Sequence, residues 1–197
     1  MSKIIVIEGP DRVGKQTQTH MLKETFQSYG MLATVVEVPI HSAITYRIIY
    51  WMLRNGLAKK FPKVFQWFQY LNRKVFQEYA LPHLEDRYDA IIMDRWSLST
   101  IVYGAAEGVP KEFTLKLAKK LREPDYTIIL YGDSFVHEAE DVYEADIGLQ
   151  RRVREEYVVW ANQNPSTTKL VDSKLSRKNV SRKIREALQE KKILPRY

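Results

Sequence analysis

The stretch Ile4-Ile5-Val6-Ile7-Glu8-Gly9-Pro10-Asp11-Arg12-Val13-Gly14-Lys15-Gln16-Thr17 decides how the chain is read. Its first four residues are a β-branched run, as in a strand buried on both faces. Gly9 to Lys15 then match G-x-x-x-x-G-K, whose glycines let the backbone curl so that successive N–H groups surround phosphate oxygens. A helical period follows at Met21, Leu22, Thr25, Phe26 and Tyr29. Strand, glycine loop and helix in that order are the context the pattern requires. They predict a nucleotide-phosphate site on Gly9, Pro10, Val13, Gly14, Lys15, Gln16 and Thr17. Lys15 reaches the β- and γ-phosphates, and the helix adds the positive end of its dipole.

Outward from this unit the alternation continues. Gly30 stops the helix, and Ala33 to Val38 read as a second strand closed by Pro39. Helical stretches follow at about 43–57 and 63–86, with Pro82 placed to end or kink the second. Ala90 to Met93 form a third strand ending in Asp94. Tyr126 to Leu130 form a fourth and Lys169 to Val171 a fifth, with helical sequence around Phe113, Leu117 and Leu121 between the third and fourth. Leu149, Val153, Tyr157 and Trp160 make one apolar helical stripe, and Val180, Ile184 and Leu188 another. Strands alternating with helices predict an α/β, three-layer P-loop NTPase fold: a five-stranded parallel sheet flanked by helices, with ligands at the carboxyl ends of the strands. A chain of 197 residues is expected to form one domain, 1–197.

Composition removes several classes. Without cysteine there are no disulfides, thiolate zinc sites or thiol catalysis. The opening apolar run is too short for a signal peptide or membrane span, so a soluble, cytoplasmic protein with no membrane partner is expected. The net charge of +7 is concentrated in residues 151–197, which hold 13 Lys/Arg against 5 Asp/Glu. These charges fall on helical patterns, with Arg182, Lys183 and Arg185 opposite the apolar stripe. A solvated helix face is therefore expected instead of a nucleic-acid surface, and no aromatic-basic strand motif argues otherwise.

Two positions bear on a metal. Where the pattern expects a magnesium-ligating Ser or Thr the chain has Gln16, whose amide oxygen can ligate directly or through water. Asp94, closing the third strand, stands where a second carboxylate completes a Mg2+ environment; its other reading is a helix N-cap. Arg95 beside it is shaped for bidentate grip on a phosphate.

Glu8 to Lys15, Asn72-Arg73, Asp94-Arg95-Trp96 with Ser99 and Tyr103, Pro124-Asp125 and Tyr143-Glu144 occur in an order that resembles the thymidylate kinases, over nearly the whole chain. The resemblance implies transfer of the γ-phosphoryl of ATP, with Mg2+, to a deoxynucleoside monophosphate, dTMP above all. It also implies a homodimer and a short lid at about 132–147. Asp11 would hold the acceptor's sugar hydroxyl, Arg12 the transferring phosphoryl and Thr17 the α-phosphate. Arg95 would bind the acceptor phosphate and Arg73 the base edge, with Ser99, Thr100, Tyr103 and Tyr143 completing the acceptor site. Lys15, Arg12, Arg95 and the metal would form the catalytic set, with Asp94. From Tyr131 to Gln150 there is no Lys or Arg, so the lid supplies no catalytic arginine and Arg12 is expected to be the main transition-state cation.

The acceptor side departs from the family. His41 stands where an arginine usually grips the phosphate, and Arg47, six residues on, could compensate. Gln69 stands where an aromatic usually stacks on thymine, losing stacking worth about 1–3 kcal/mol. A deoxypurine or broad-range monophosphate kinase, and a P-loop protein that binds nucleotide without turning it over, both stay open.

Overall fold

A computed structural model describes residues 2–132 and 146–196. The expected lid and Tyr143 fall almost wholly on 133–145 and lie outside the described residues.

The sheet is built from β1 (Lys3–Glu8), β2 (Ala33–Glu37), β3 (Ala90–Asp94), β4 (Tyr126–Tyr131) and β5 (Thr168–Asp172), in the order β2-β3-β1-β4-β5. Every pairing is parallel. Side chains alternate between two cores, as the two-residue strand period requires. Ile5, Ile7, Ile92, Ile128 and Leu130 pack with Leu22 and Phe26 of α1 (Lys15–Ser28) and with Val180, Ile184 and Leu188 of the C-terminal helix. Ile4, Val6, Ile91 and Met93 face the other way, against Tyr70, Phe76, Trp96 and Leu117.

That second layer holds α2 (Ile44–Arg54), α3 (Leu57–Lys60), α4 (Pro62–Tyr79), α5 (Leu81–Glu85), α6 (Ser97–Ala106), α7 (Lys111–Ala118) and α8 (Ile147–Gln163). The C-terminal helix is α9 (Arg177–Glu190). The long helical stretch read at 63–86 is two helices: the chain breaks at Ala80, and Pro82 sits in the first turn of α5, where a missing N–H costs nothing. The stripe on α8 runs Leu149, Val153, Tyr157 and Ala161, with Trp160 only partly buried beside it. Among the described residues no helix is long and apolar enough to cross a membrane.

Register places the site. Ile7 pairs with Asp94, and Arg95 N–H continues the ladder by donating to Ile7 O at 3.0 Å. The loops leaving β1 and β3 are therefore side by side at the carboxyl edge of the sheet. A side chain is impossible at Gly9, where φ is 146° and a Cβ would lie 2.4 Å from Leu130 O. Gly14, with φ 86°, caps α1 in the left-handed conformation and turns the loop into the helix.

Candidate active site

The β1–α1 loop separates two cavities. One, of about 650 Å3, is lined by the loop from Arg12 to Thr17 and by Asp94. The other, of about 340 Å3, is lined by Asp11, Arg95, Arg73 and side chains of α2, α4 and α6. Neighbours in sequence thus face different cavities: Asp11 and Arg95 one, Arg12 and Asp94 the other. Arg12 and Arg95 both hold a positive φ, 61° and 69°, a conformation costing a non-glycine residue about 1–2 kcal/mol. Strain of this kind gathers where structure fixes a functional side chain.

In the first cavity Val13, Gly14, Lys15, Gln16 and Thr17 all line the wall, as the glycine pattern predicts. Gly9 and Pro10 shape the loop from behind. Gly9 O accepts from Arg95 at 3.1 Å, and Pro10 O accepts from Lys15 Nζ at 2.7 Å. Burial pushes the Lys15 ammonium down to about 8, with Arg95 adding to the effect and the Asp94, Asp11 and Glu8 carboxylates opposing it. Burial raises the Asp94 carboxyl; Lys15 and Arg95 pull it back, while Glu8 and Glu37 push it further up. Gln16 donates to Glu37 Oε1 at 3.0 Å, an arrangement that directs its amide nitrogen to Glu37 and leaves its oxygen available. Asp94 and Gln16 are hard oxygen donors at the phosphate loop. They fit magnesium, which is commonly held by one or two carboxylates together with phosphate oxygens and waters. The far wall is the β5–α9 connection, with Ser173 and Leu175, and the first residue of α9, Arg177, to which no sequence signal pointed.

In the second cavity Asp11 and Arg95 form an ion pair, their side chains 21% and 14% exposed. Asp11 also accepts from Tyr103 Oη and Gln150 Nε2, each at 2.8 Å. Burial works to raise its carboxyl, but Arg95, Lys15 and these two hydrogen bonds outweigh it and hold it below the usual carboxylate range. Arg95 donates further to Ser99 Oγ at 3.2 Å and Tyr103 Oη at 3.1 Å. Arg73, on α4, is 2% exposed and donates through Nη1 to Thr100 Oγ1 at 3.0 Å and Gln69 Oε1 at 3.3 Å. Burial lowers it to about 10, with Glu8 opposing and Arg95 adding to the effect. His41 is exposed at the rim, its ring 4.3 Å from that of Tyr46. Arg47 is exposed on α2 and lines neither cavity.

Beneath both cavities lies Glu8, fully buried. It accepts from Trp96 N–H at 2.8 Å and Ser99 N–H at 3.2 Å, so an acid on β1 caps α6, whose own N-cap residue offers no side-chain hydrogen bond. It also accepts from Ser99 Oγ at 2.6 Å and Tyr157 Oη at 2.7 Å. Glu8→Ala strands these donors, and Arg73 and Lys15 lose a nearby carboxylate. Stability is expected to fall by about 3–5 kcal/mol, as for breaking a buried charge pair. Glu8→Gln is expected to cost less, because the Ser99 and Tyr157 hydroxyls can reverse and accept. Urea denaturation checks both; a loss below about 1 kcal/mol for alanine would show that the network is dispensable.

A phosphate loop on a parallel sheet, with a basic second cavity across it, defines a P-loop phosphotransferase whose acceptor is itself a phosphate group. The thymidylate kinase family model matches residues 7–184, and the chain belongs to that family. It is 25% identical to the thymidylate kinase of Brachyspira hyodysenteriae, covering 98% of this chain and 96% of that protein. To the probable thymidylate kinase 1 of Saccharolobus solfataricus it is 27% identical, covering 83% and 85%. The thymidylate kinase of Candida albicans superposes with a TM-score of 0.76 at 23% identity, covering 97% of this chain and 92% of that one.

Proposed function

We propose that this protein phosphorylates dTMP to dTDP with ATP as donor. The observation that carries the reading is the division of Asp11-Arg12 and Asp94-Arg95 between two cavities that meet at the phosphate loop. Phosphoryl transfer needs two phosphates in line with cations around the moving group, more than it needs a strong base. ATP would lie in the first cavity, its phosphates cradled by the loop and by Lys15, with Thr17 at the α-phosphate. The acceptor would lie in the second, its phosphate on Arg95, its sugar hydroxyl on Asp11 and its base toward Arg73. Ser99, Thr100 and Tyr103 hold these groups in place, and His41 and Gln69 stand at the mouth and wall. An acceptor oxygen attacks the γ-phosphorus, the bond to the bridging oxygen breaks, and ADP leaves. Arg12 contacts the transferred group between the two sites. Magnesium, held by Asp94 and Gln16, would neutralise charge developing on the β- and γ-oxygens. A homodimer belongs to the same reading, supported by large apolar side chains exposed on the second layer, Trp51 and Trp67 among them.

The test is a panel of deoxy- and ribonucleoside monophosphates offered with ATP and magnesium, read as ADP formation. Turnover that depends on the acceptor, fastest with dTMP, is expected. ADP formation that ignores every acceptor would end the proposal.

A further inference from the structure

Phosphoryl transfer leaves Gln66 without a use. It lies on α4 one turn before Gln69 and two before Arg73, on the face that lines the acceptor cavity. It is 2% exposed, and its Nε2 has no hydrogen-bond partner. Arg73 uses Nη1 on Gln69 and Thr100, while its buried Nε also has no partner. A buried donor left unmade costs about 1–3 kcal/mol, so two of them on residues that line one cavity are a standing cost that a ligand reaching them would remove. The facing wall is aromatic. The His41, Tyr46 and Tyr50 rings follow one another at 4.3 and 6.1 Å between centroids, and Phe65 lines the same cavity. Ring surface for a base therefore comes from α2 and Phe65, which frees position 69 for an amide.

We propose that Gln66 is a base-reading residue. Together with Arg73 it donates to a base edge bearing acceptor oxygens, so that at equal ring size an oxo base is taken over an amino base: thymine over cytosine, guanine over adenine. Thymine O4 and guanine O6 accept at that edge, whereas cytosine N4 and adenine N6 donate. Gln66 could turn its amide to suit an amino group, but a guanidinium has no acceptor to offer. The amino bases would therefore meet donor against donor. This inference rests on the reading of the second cavity as the acceptor site.

The experiment compares the intact protein with Gln66→Leu and Gln66→Glu. For each, KM and kcat are measured with dTMP, dCMP, dGMP and dAMP, together with the thermal midpoint with and without each monophosphate. In the unsubstituted protein, dTMP is expected to exceed dCMP, and dGMP to exceed dAMP, by about 100-fold in kcat/KM, the scale for leaving buried polar groups unpaired. Gln66→Leu removes an orphaned amide, so its ligand-free midpoint is expected to hold or rise. Its KM for dTMP should rise about tenfold, one hydrogen bond's worth, while KM for ATP stays put. Gln66→Glu, which puts only acceptors at this place, should narrow the oxo preference to the part that Arg73 holds. A higher midpoint with unchanged acceptor KM would make Gln66 an ordinary orphaned core amide and overturn the proposal. Amino bases within tenfold of their oxo counterparts would overturn it as well. Midpoint shifts by the oxo monophosphates without any ADP formation would leave the base preference standing and fail the kinase reading instead. Absence of both shift and turnover would fail the two together.

Discussion

Arg12→Gly is expected to slow turnover about 10³-fold, the lower end of the range for arginines that stabilise phosphoryl transfer. Three observations converge on this. No Lys or Arg occurs between Tyr131 and Gln150, so no cation is available from that segment. Arg12 lines the phosphate-loop cavity, next in sequence to Asp11, which lines the other cavity. Its backbone is left-handed, φ 61°, a conformation glycine adopts freely. Glycine is therefore the substitution that least disturbs the loop, and the thermal midpoint should stay within a few degrees. KM for the acceptor should change little, since Asp11 and Arg95 are untouched. Steady-state kinetics with both substrates varied checks this, and near-normal kcat would remove Arg12 from the transition state.

Arg95→Ala is expected to be of similar severity, with kcat/KM for the acceptor falling about 10²–10⁴-fold as two charge-assisted hydrogen bonds to phosphate are lost. Stability should fall as well, because Asp11 would remain in its cleft without its cation. The sign with pH follows from Asp11, whose carboxyl is held below its ordinary value in the folded chain. Its stabilising contribution is present above the unfolded-state value, about 4, and disappears as pH falls through the lower folded value. The stability gap between the unsubstituted protein and Arg95→Ala should therefore be wide at neutral pH and close toward strong acid. The double variant Arg95→Ala/Asp11→Asn should recover stability without recovering activity. Recovery of both, or kinetics unaffected by Arg95→Ala, would place Arg95 outside the site.

Much of this was legible because the chemistry of the first cavity is local in sequence. Strand, glycine loop and helix are contiguous, and Asp94-Arg95 follows directly from the end of a strand. The second cavity is assembled from α2, α4 and α6, with α8 behind them, and its supports gave no local pattern. Glu8 is an acid at the end of an apolar run whose partners lie 88 to 149 residues away. Tyr157 fits an apolar stripe, and only its hydroxyl reaches the site. Gln150 clamps Asp11 from the first turns of α8, accepting from its N–H at 3.3 Å and donating to its carboxylate, across 139 residues. Gln66 did leave a trace, the spacing 66, 69, 73 on one helical face, but an amide there has meaning only once the cavity is in view. Tyr46 and Tyr50 line the same cavity as Gln69, and sequence alone gives no reason to turn them toward it.

The division of each acid–arginine dipeptide between opposite cavities makes these two places sensitive to chain length. Inserting one residue between Gly9 and Asp11, or ahead of Asp94, would carry the carboxylate into the place now held by its guanidinium and push the guanidinium out of it. Point substitutions around the rim can be absorbed gradually, whereas length changes at these two places should be all-or-nothing.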